Sequence, residues 1–387
     1  MKLSTSGEKA FWNYLIVLVF LVAVSIFFTQ HDMKFVIFDT MSTMFLPNFN
    51  KSFVPNSNKS FVLNSNRSFV EKDTISDKRI LILIYNTPSY LTTFINYFNK
   101  RKCPKMYNCF VTQNMKDFQN SSAVIFNIET LPKSPPQKFK NQFWIFHSME
   151  PATLMKRPKN HWNGLFDYTM SFRRHSDIFR PYGRIKRRQK EIKRNYSEIF
   201  RKKTLDAVWM SGHCPVPSKR KALAQEIGKY VHVDIFGKCG TRMCGNPTTL
   251  FSECLINVSR DYKFYLAFEN TICPDYTTEK LYNLYLYDLE IIPVVNGPSN
   301  VADYLPNGTY INALQFATVT DLANMLIDIG SSEEKYTNYL KEKDKYYDVG
   351  NAEIFSDAIC QLCEKLTMQN PNVETEDYWT RLLKDNC

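Results

Sequence analysis

The chain has 387 residues, 44% hydrophobic and 22% charged, which excludes a disordered or fibrous protein and suits two domains of about 100–200 residues each. Only 12 Gly are present, which argues against collagen-like or Gly-rich phosphate-loop architectures, while 14% aromatics point to broad packed surfaces. The formal net charge is +11, from 49 Lys+Arg against 38 Asp+Glu. That surplus implies an anionic partner, whose class depends on where the charge sits.

Residues 1–10 read as a short cytoplasmic tail. Phe11 to Phe28 carry no charge, and Thr29 and Gln30 extend the run. At about 1.5 Å per residue, 11–30 spans a bilayer core of about 30 Å. The run is longer than a signal-peptide core and no small-x-small cleavage site follows, so the reading is a retained signal anchor. Lys2, Lys9 and the amino terminus precede it, which places the remainder on the far side of the membrane. Residues 31–78 read as a stem. An eight-residue repeat, NKSFVPNS, NKSFVLNS, NRSFV, runs from Asn50 to Val70 and is too short for a solenoid. It carries the N-glycosylation candidates Asn50, Asn58 and Asn66; Asn120, Asn195, Asn257 and Asn307 follow further on.

From Arg79 the composition changes. RILILIYN, AVIFNI near Val124, FWIFHS from Phe143 and DYTMSF from Asp167 predict buried strands, with a helix in LTTFINYFNK. This defines an α/β domain over 79–183 with a largely parallel sheet. Residues 184–203 hold ten Lys and Arg against two Glu, most of the net charge, and read as a basic, solvated linker. Over 204–343, strands are expected in HVDIFG, YKFYLAFEN, EIIPVV and TYINALQF, and helices start near Ser218, Thr278 and Thr320. The 344–387 tail is less regular and contains a CxxC. Two α/β domains joined by a polar segment leave a cleft, where ligands tend to bind.

The segment Tyr262 to Pro298 is the richest in chemistry. A strand feeds a loop with Asn270, Asp275 and Tyr276, and a helix opens at Thr278. Lys280 falls in its first turn, where free backbone N–H groups favour an anion. Glu279 suits ribose hydroxyls, and Tyr276 suits a flat base or the flank of a diphosphate. An ordinary capped amphipathic helix is the plainer alternative. There is no D-x-D at a strand end, no HExxH and no pair of CxxC units, so no metal site is expected.

The run YKFYLAFEN, DYTTEKL and PVVNGP resembles the signature of the α1,3/4-fucosyltransferases, glycosyltransferase family 10. FWIFHSMEP, DYTMSFRRHSDIFRPYG, VWMSGHC and HVDIFGKCG are similar to further family segments, so the resemblance covers about 79–363. It implies two Rossmann-like domains in the GT-B arrangement, behind a single anchor and stem. It also implies inverting transfer of L-fucose from GDP-fucose to an N-acetylglucosamine hydroxyl, without a required cofactor; a divalent cation would at most stimulate. On the matching positions, Glu150 is the general base, and Arg220, Asn270, Tyr276, Glu279 and Lys280 contact the donor. Lys219 and Lys221 are rivals of Arg220 for the diphosphate. Two departures stand out: Gly212 follows Ser211 where relatives have Asn, and Pro151 follows Glu150 directly.

The resemblance further implies that Cys360 and Cys363 bridge to Cys103 and Cys109, in an order left open. Cys239 and Cys244 are near enough in sequence for a local bridge, while Cys214, Cys254, Cys273 and Cys387 stay unassigned. His147 and His213 lie near the presumed cleft, with packed or hydrogen-bonded roles favoured over catalytic ones. Together these readings give a Golgi α1,3-fucosyltransferase, single-pass type II, with its head in the lumen. Its partners are GDP-fucose, an N-acetylglucosamine-containing glycan and the Golgi membrane, with a homodimer also open. The rivals are a two-domain transferase using another nucleotide sugar and a silent glycan-binding homologue. Nucleic acid fails on compartment, because the anchor places the basic tract in the lumen.

Overall fold

Short runs of β-branched and aromatic residues, apolar on both faces, favour strands that must be covered on both sides. The computed structural model describes residues 79–101, 103, 108–155, 160–244, 251–368 and 387, and builds two such sheets. The anchor, the stem and its sequons at Asn50, Asn58 and Asn66 lie outside the described residues. Among those described, no helix is long and apolar enough to cross a membrane. Asn120, Asn195, Asn257 and Asn307 are exposed.

The first sheet contains β1 (Ile80–Tyr85), β2 (Cys109–Thr112), β3 (Ala123–Asn127), β4 (Phe143–Ser148), β5 (Tyr168–Ser171) and β6 (Ile178–Phe179). All pairings are parallel, in the order β2-β1-β3-β4-β5-β6. Helix α1 (Leu91–Arg101) covers one face through Leu91, Ile95 and Phe98. Leu83, Val124, Phe126, Trp144 and Trp162 fill the opposite face. β7 (Ile185–Arg187) and α2 (Tyr196–Lys202) follow.

The second sheet contains β8 (Leu205–Met210), β9 (Val233–Phe236), β10 (Tyr262–Phe268), β11 (Ile292–Asn296) and β12 (Ile311–Asn312). It is also parallel, in the order β12-β11-β10-β8-β9. Its helices are α3 (Arg220–Ile227), α4 (Phe251–Asp261), α5 (Glu279–Leu286), α6 (Val319–Ser331) and α7 (Glu333–Lys343). The period of two along β10 sends Phe264, Leu266 and Phe268 to the core under α3, α6 and α7. Tyr265 and Ala267 go to the core under α4 and α5.

Several sequence readings change. β2 and β8 lie outside the expected strands: β2 has only four residues, and β8 carries Asp206 at its second position. The strand expected in TYINALQF shrinks to two residues before a 3-10 turn. The tail expected as irregular forms β13 (Tyr346–Asp348), antiparallel to β7, and the seventeen-residue helix α8 (Asn351–Thr367). Phe355, Ala358, Ile359 and Leu362 of α8 pack into the first sheet's core, beside α1. The chain therefore returns to its first sheet after completing its second.

The basic tract is solvated only in part: Arg187, Lys190, Lys193, Arg201 and Lys202 are exposed, while others meet distant carboxylates. Arg184 pairs with Asp357, Arg188 with Asp288, and Arg194 with Glu290 and Asp344. Lys203 is buried and donates to the Ser259 and Tyr262 carbonyls at 2.5 and 2.9 Å. Burial lowers its pKa to about 7.

The disulfide order is Cys103–Cys360 and Cys109–Cys363, with both helical cysteines three apart and thus on one side of α8. The expected Cys239–Cys244 bridge is absent. Cys239 pairs with Cys214, and Cys244 with Cys254. Parallel pairing of β8 and β9 brings the loops after both strands side by side, so spatial neighbours override sequence neighbours. Cys273 pairs with Cys387.

Candidate active site

In open parallel sheets, ligands bind beyond the carboxyl ends of strands, where the strand order reverses. In the second sheet this switch lies between β8 and β10. The chain leaves them at Ser211–Gly212–His213 and at Glu269–Asn270. A cleft of about 490 Å³ opens there, lined by Gly212, His213, Cys214, Pro215, Val216 and Asn270, and by Glu150 and Leu154 from beyond β4 of the first sheet. A larger cavity of about 560 Å³ beside Asn195 is bounded by α2, α7 and the residues before α2, and by no strand end. The topology therefore selects the first.

Glu150 follows β4, and its backbone N–H donates to Ser148 Oγ at 3.1 Å. Its carboxylate accepts from the hydroxyl of Tyr276, which belongs to the second sheet's side, at 2.9 Å. Burial raises the Glu150 pKa above the ordinary carboxylate value. The Tyr276 bond and the Lys280 charge pull it down, while Glu279 and Glu129 push it up. Tyr276 does not offer a ring face to a base, as the sequence suggested. It is 1% exposed and packs on Phe172 and Tyr182, with ring centroids 5.0 and 5.9 Å away.

Glu269, at the end of β10, is 1% exposed and organises the start of α5. It accepts from the Thr278 N–H at 2.8 Å and from the Thr278 hydroxyl, so the helix cap is made by a distant carboxylate. Lys280 Nζ lies 3.3 Å from Glu269, 3.0 Å from Glu279 and 2.8 Å from Thr278 Oγ1. Burial works against the ammonium, but Glu269 and Glu279 outweigh it and the Lys280 pKa is raised. Glu279 itself is half exposed.

Arg220 opens α3 and is 2% exposed. Its Nη1 donates to Phe268 O at 2.9 Å, and its Nη2 to Ser211 Oγ at 2.9 Å and His213 O at 3.1 Å. It therefore ties together the two loops that line the cleft. Its Nε has no hydrogen-bond partner among the described residues, and neither has the buried Oδ1 of Asn270. Gly237 closes this corner: at φ +86° its Cα packs on Ser211 O, which an added Cβ would meet at 2.6 Å. Lys219, the rival for the diphosphate, is exposed, and Lys221 is half-buried.

His147 is buried at the end of β4, with Nε2 hydrogen-bonded to Arg180. Burial, then the Arg180 charge, hold its pKa well below the usual value, so it is neutral. His213 lies exposed on the cleft wall. Among the described residues no group of three or more His, Cys, Asp or Glu could hold a metal ion. Thus Glu150, Tyr276, Glu279 and Lys280 come together, Asn270 lines the cleft, and Arg220 stands behind its wall. Sequence reasoning missed Glu269, although it sits directly before Asn270 as a carboxyl ending an apolar strand.

Two parallel sheets whose strand-end loops meet at one cleft form an α/β architecture. Residues 77–183 match the family description "Fucosyltransferase, N-terminal", and residues 200–380 match "Glycosyltransferase family 10 (fucosyltransferase) C-term". The chain belongs to glycosyltransferase family 10, the fucosyltransferases. It is 31% identical to "Alpha-(1,3)-fucosyltransferase C" of Drosophila melanogaster over 68% of this chain and 65% of that protein's length. It is 30% identical to the Bos taurus "3-galactosyl-N-acetylglucosaminide 4-alpha-L-fucosyltransferase FUT3", covering 70% of this chain and 73% of that one. The fold is similar to a crystal structure of an alpha1,3-fucosyltransferase with GDP, at TM-score 0.52 and 16% identity, over 79% of this chain and 95% of that one.

Proposed function

We propose that the protein transfers L-fucose from GDP-fucose to the 3-hydroxyl of N-acetylglucosamine on glycoprotein glycans, with inversion, from a Golgi membrane anchored by residues 11–30. The observation that carries this reading is Glu150, a half-buried carboxylate of raised pKa on the wall of a cleft at the second sheet's switch point. Inverting transfer needs one carboxylate, facing the acceptor hydroxyl, to take its proton as the sugar moves. Burial makes Glu150 a stronger base than an exposed glutamate, and the Tyr276 hydroxyl orients it.

The donor would lie on the second sheet's side, beyond the carboxyl ends of β8 and β10 where the strand order reverses. Charge developing on the diphosphate would be met by Lys280 and by the free N–H groups at the start of α5, with the Arg220 charge adding to them from behind the cleft wall. These fixed cations can take the part a divalent ion plays elsewhere, so EDTA is expected to leave appreciable activity. Asn270 and Glu279 would bond the nucleotide. The test is an assay of the full-length chain with GDP-fucose and other nucleotide sugars, against lactosamine, LacdiNAc and core N-glycan acceptors. Transfer from GDP-fucose alone supports the reading; its absence with every acceptor overturns it.

A further inference from the structure

We propose that Arg174 is a positioning residue which, from the first sheet, holds the Tyr276 hydroxyl on Glu150. This inference rests on the reading of Glu150 as the base.

Arg174 follows β5, in the half of the molecule that carries Glu150. Its side chain reaches to the other half. Nε donates to the Tyr304 hydroxyl at 2.8 Å and Nη2 to the Asp303 carbonyl at 3.2 Å, with the guanidinium 4.3 Å from the Tyr304 ring centroid. Tyr304 passes the contact on, its hydroxyl donating to Asp275 Oδ1 at 2.5 Å. Asn300 Nδ2 donates to the same oxygen at 2.8 Å, and the Arg174 backbone N–H donates to Asp275 Oδ2 at 3.1 Å. Asp275 is thus gripped through both carboxylate oxygens.

Its backbone explains the need for that grip. Asp275 has φ +65°, in the left-handed region, which aspartate enters more readily than most residues but still at a cost that local hydrogen bonds must offset. Tyr276 is the next residue, so the conformation at Asp275 sets the direction in which the tyrosine leaves the chain. Arg174 is nearly half exposed and its charge pairs with Asp275 and Asp303 are 3.8 and 3.6 Å long. Such pairs contribute little stability on their own. Their effect lies in direction: they connect the two halves at the residue beside Tyr276.

The measurement is the pH dependence of kcat/KM for GDP-fucose transfer by the full-length chain, for wild type, Arg174→Met, Tyr276→Phe and the double variant. Glu150 interacts with Glu129, Tyr90 and Tyr182 on its own side and with Tyr276, Glu279 and Lys280 across the cleft. Of these, only Tyr276 hydrogen-bonds its carboxylate, and that bond favours the ionised form. Arg174→Met is expected to move the acid limb up by about one pH unit and to lower kcat several-fold, with donor KM little changed. Arg174→Lys should recover part of both. In the Tyr276→Phe background Arg174→Met should add no further shift.

An unmoved acid limb in Arg174→Met, or the same added shift in both backgrounds, would overturn the inference. If Arg174→Met fails to melt cooperatively, Tyr304→Phe removes the same link through a single hydroxyl, and the same outcomes decide. Glu150→Gln separates the two claims. Full activity in that variant overturns both, whereas an inactive Glu150→Gln with an unmoved limb in Arg174→Met overturns the positioning role alone.

Discussion

The Tyr276 hydroxyl donates to Glu150 Oε2 at 2.9 Å, between residues 126 apart in sequence and carried by loops at the ends of two different sheets. A carboxylate with that partner is oriented before any substrate arrives. The bond also stabilises the charged form against the burial that disfavours it.

The first consequence concerns pH. Transfer needs Glu150 ionised, and its pKa is raised in the folded protein. The acid limb of kcat/KM should therefore lie above the ordinary glutamate value of about 4.3, with activity falling as pH drops through it. Tyr276→Phe removes the donor and should move that limb higher still. A limb at or below the ordinary value, in a rate profile from which substrate ionisation has been subtracted, contradicts this.

Arg220 acts on the cleft from behind. Arg220→Met removes the guanidinium donor to the Phe268 carbonyl, while Ser211 Oγ keeps the His213 N–H and the His213 carbonyl keeps the Ser211 hydroxyl. A buried acceptor left without its donor costs about 1–3 kcal/mol. Urea unfolding should show that loss, and titration calorimetry should show weakened GDP binding. Weakened GDP binding at unchanged stability would instead indicate direct contact with the diphosphate as the whole of its role.

Glu269 holds the start of α5 and the Lys280 ammonium. Removing one partner of a buried pair typically destabilises by about 3–5 kcal/mol, so Glu269→Ala should unfold well below wild type. Glu269→Gln, which can still accept from Thr278, should lose less. Equal melting of all three proteins would mean that the contact carries no stability.

What could be read from the sequence divides along physical lines. Apolar runs such as Phe143–Ser148 and Tyr262–Phe268 marked the central strands because both of their faces are buried, and Thr278 marked the start of α5. Motif resemblance located Glu150, Asn270 and Lys280. It could not say that Tyr276 points at Glu150, because side-chain direction depends on the left-handed turn at Asp275. In the basic tract the pairing of Arg184, Arg188 and Arg194 was not legible, because Asp288, Glu290, Asp344 and Asp357 are about 100 to 170 residues away. Helix α8 did show helical spacing at Ile354, Phe355, Ala358, Ile359 and Leu362, but its position after the second domain obscured its return to the first.

The cysteines offer a test independent of catalysis. Peptide mapping of the unreduced protein should recover Cys214–Cys239 and Cys244–Cys254, alongside Cys103–Cys360 and Cys109–Cys363. Replacing all of Cys103, Cys109, Cys360 and Cys363 by Ser opens a loop closed over 257 residues and should cost about 2–5 kcal/mol of stability. A Cys239–Cys244 peptide would contradict the arrangement of the β8 and β9 loops.

Glu150→Gln tests the central claim most directly, with fucose transfer and GDP-fucose affinity measured on the same full-length preparation. Loss of a positioned general base should lower transfer by about 10²–10⁴-fold while donor affinity stays within a small factor of wild type. Transfer at the wild-type rate, or donor affinity that collapses together with it, would contradict the role assigned to Glu150.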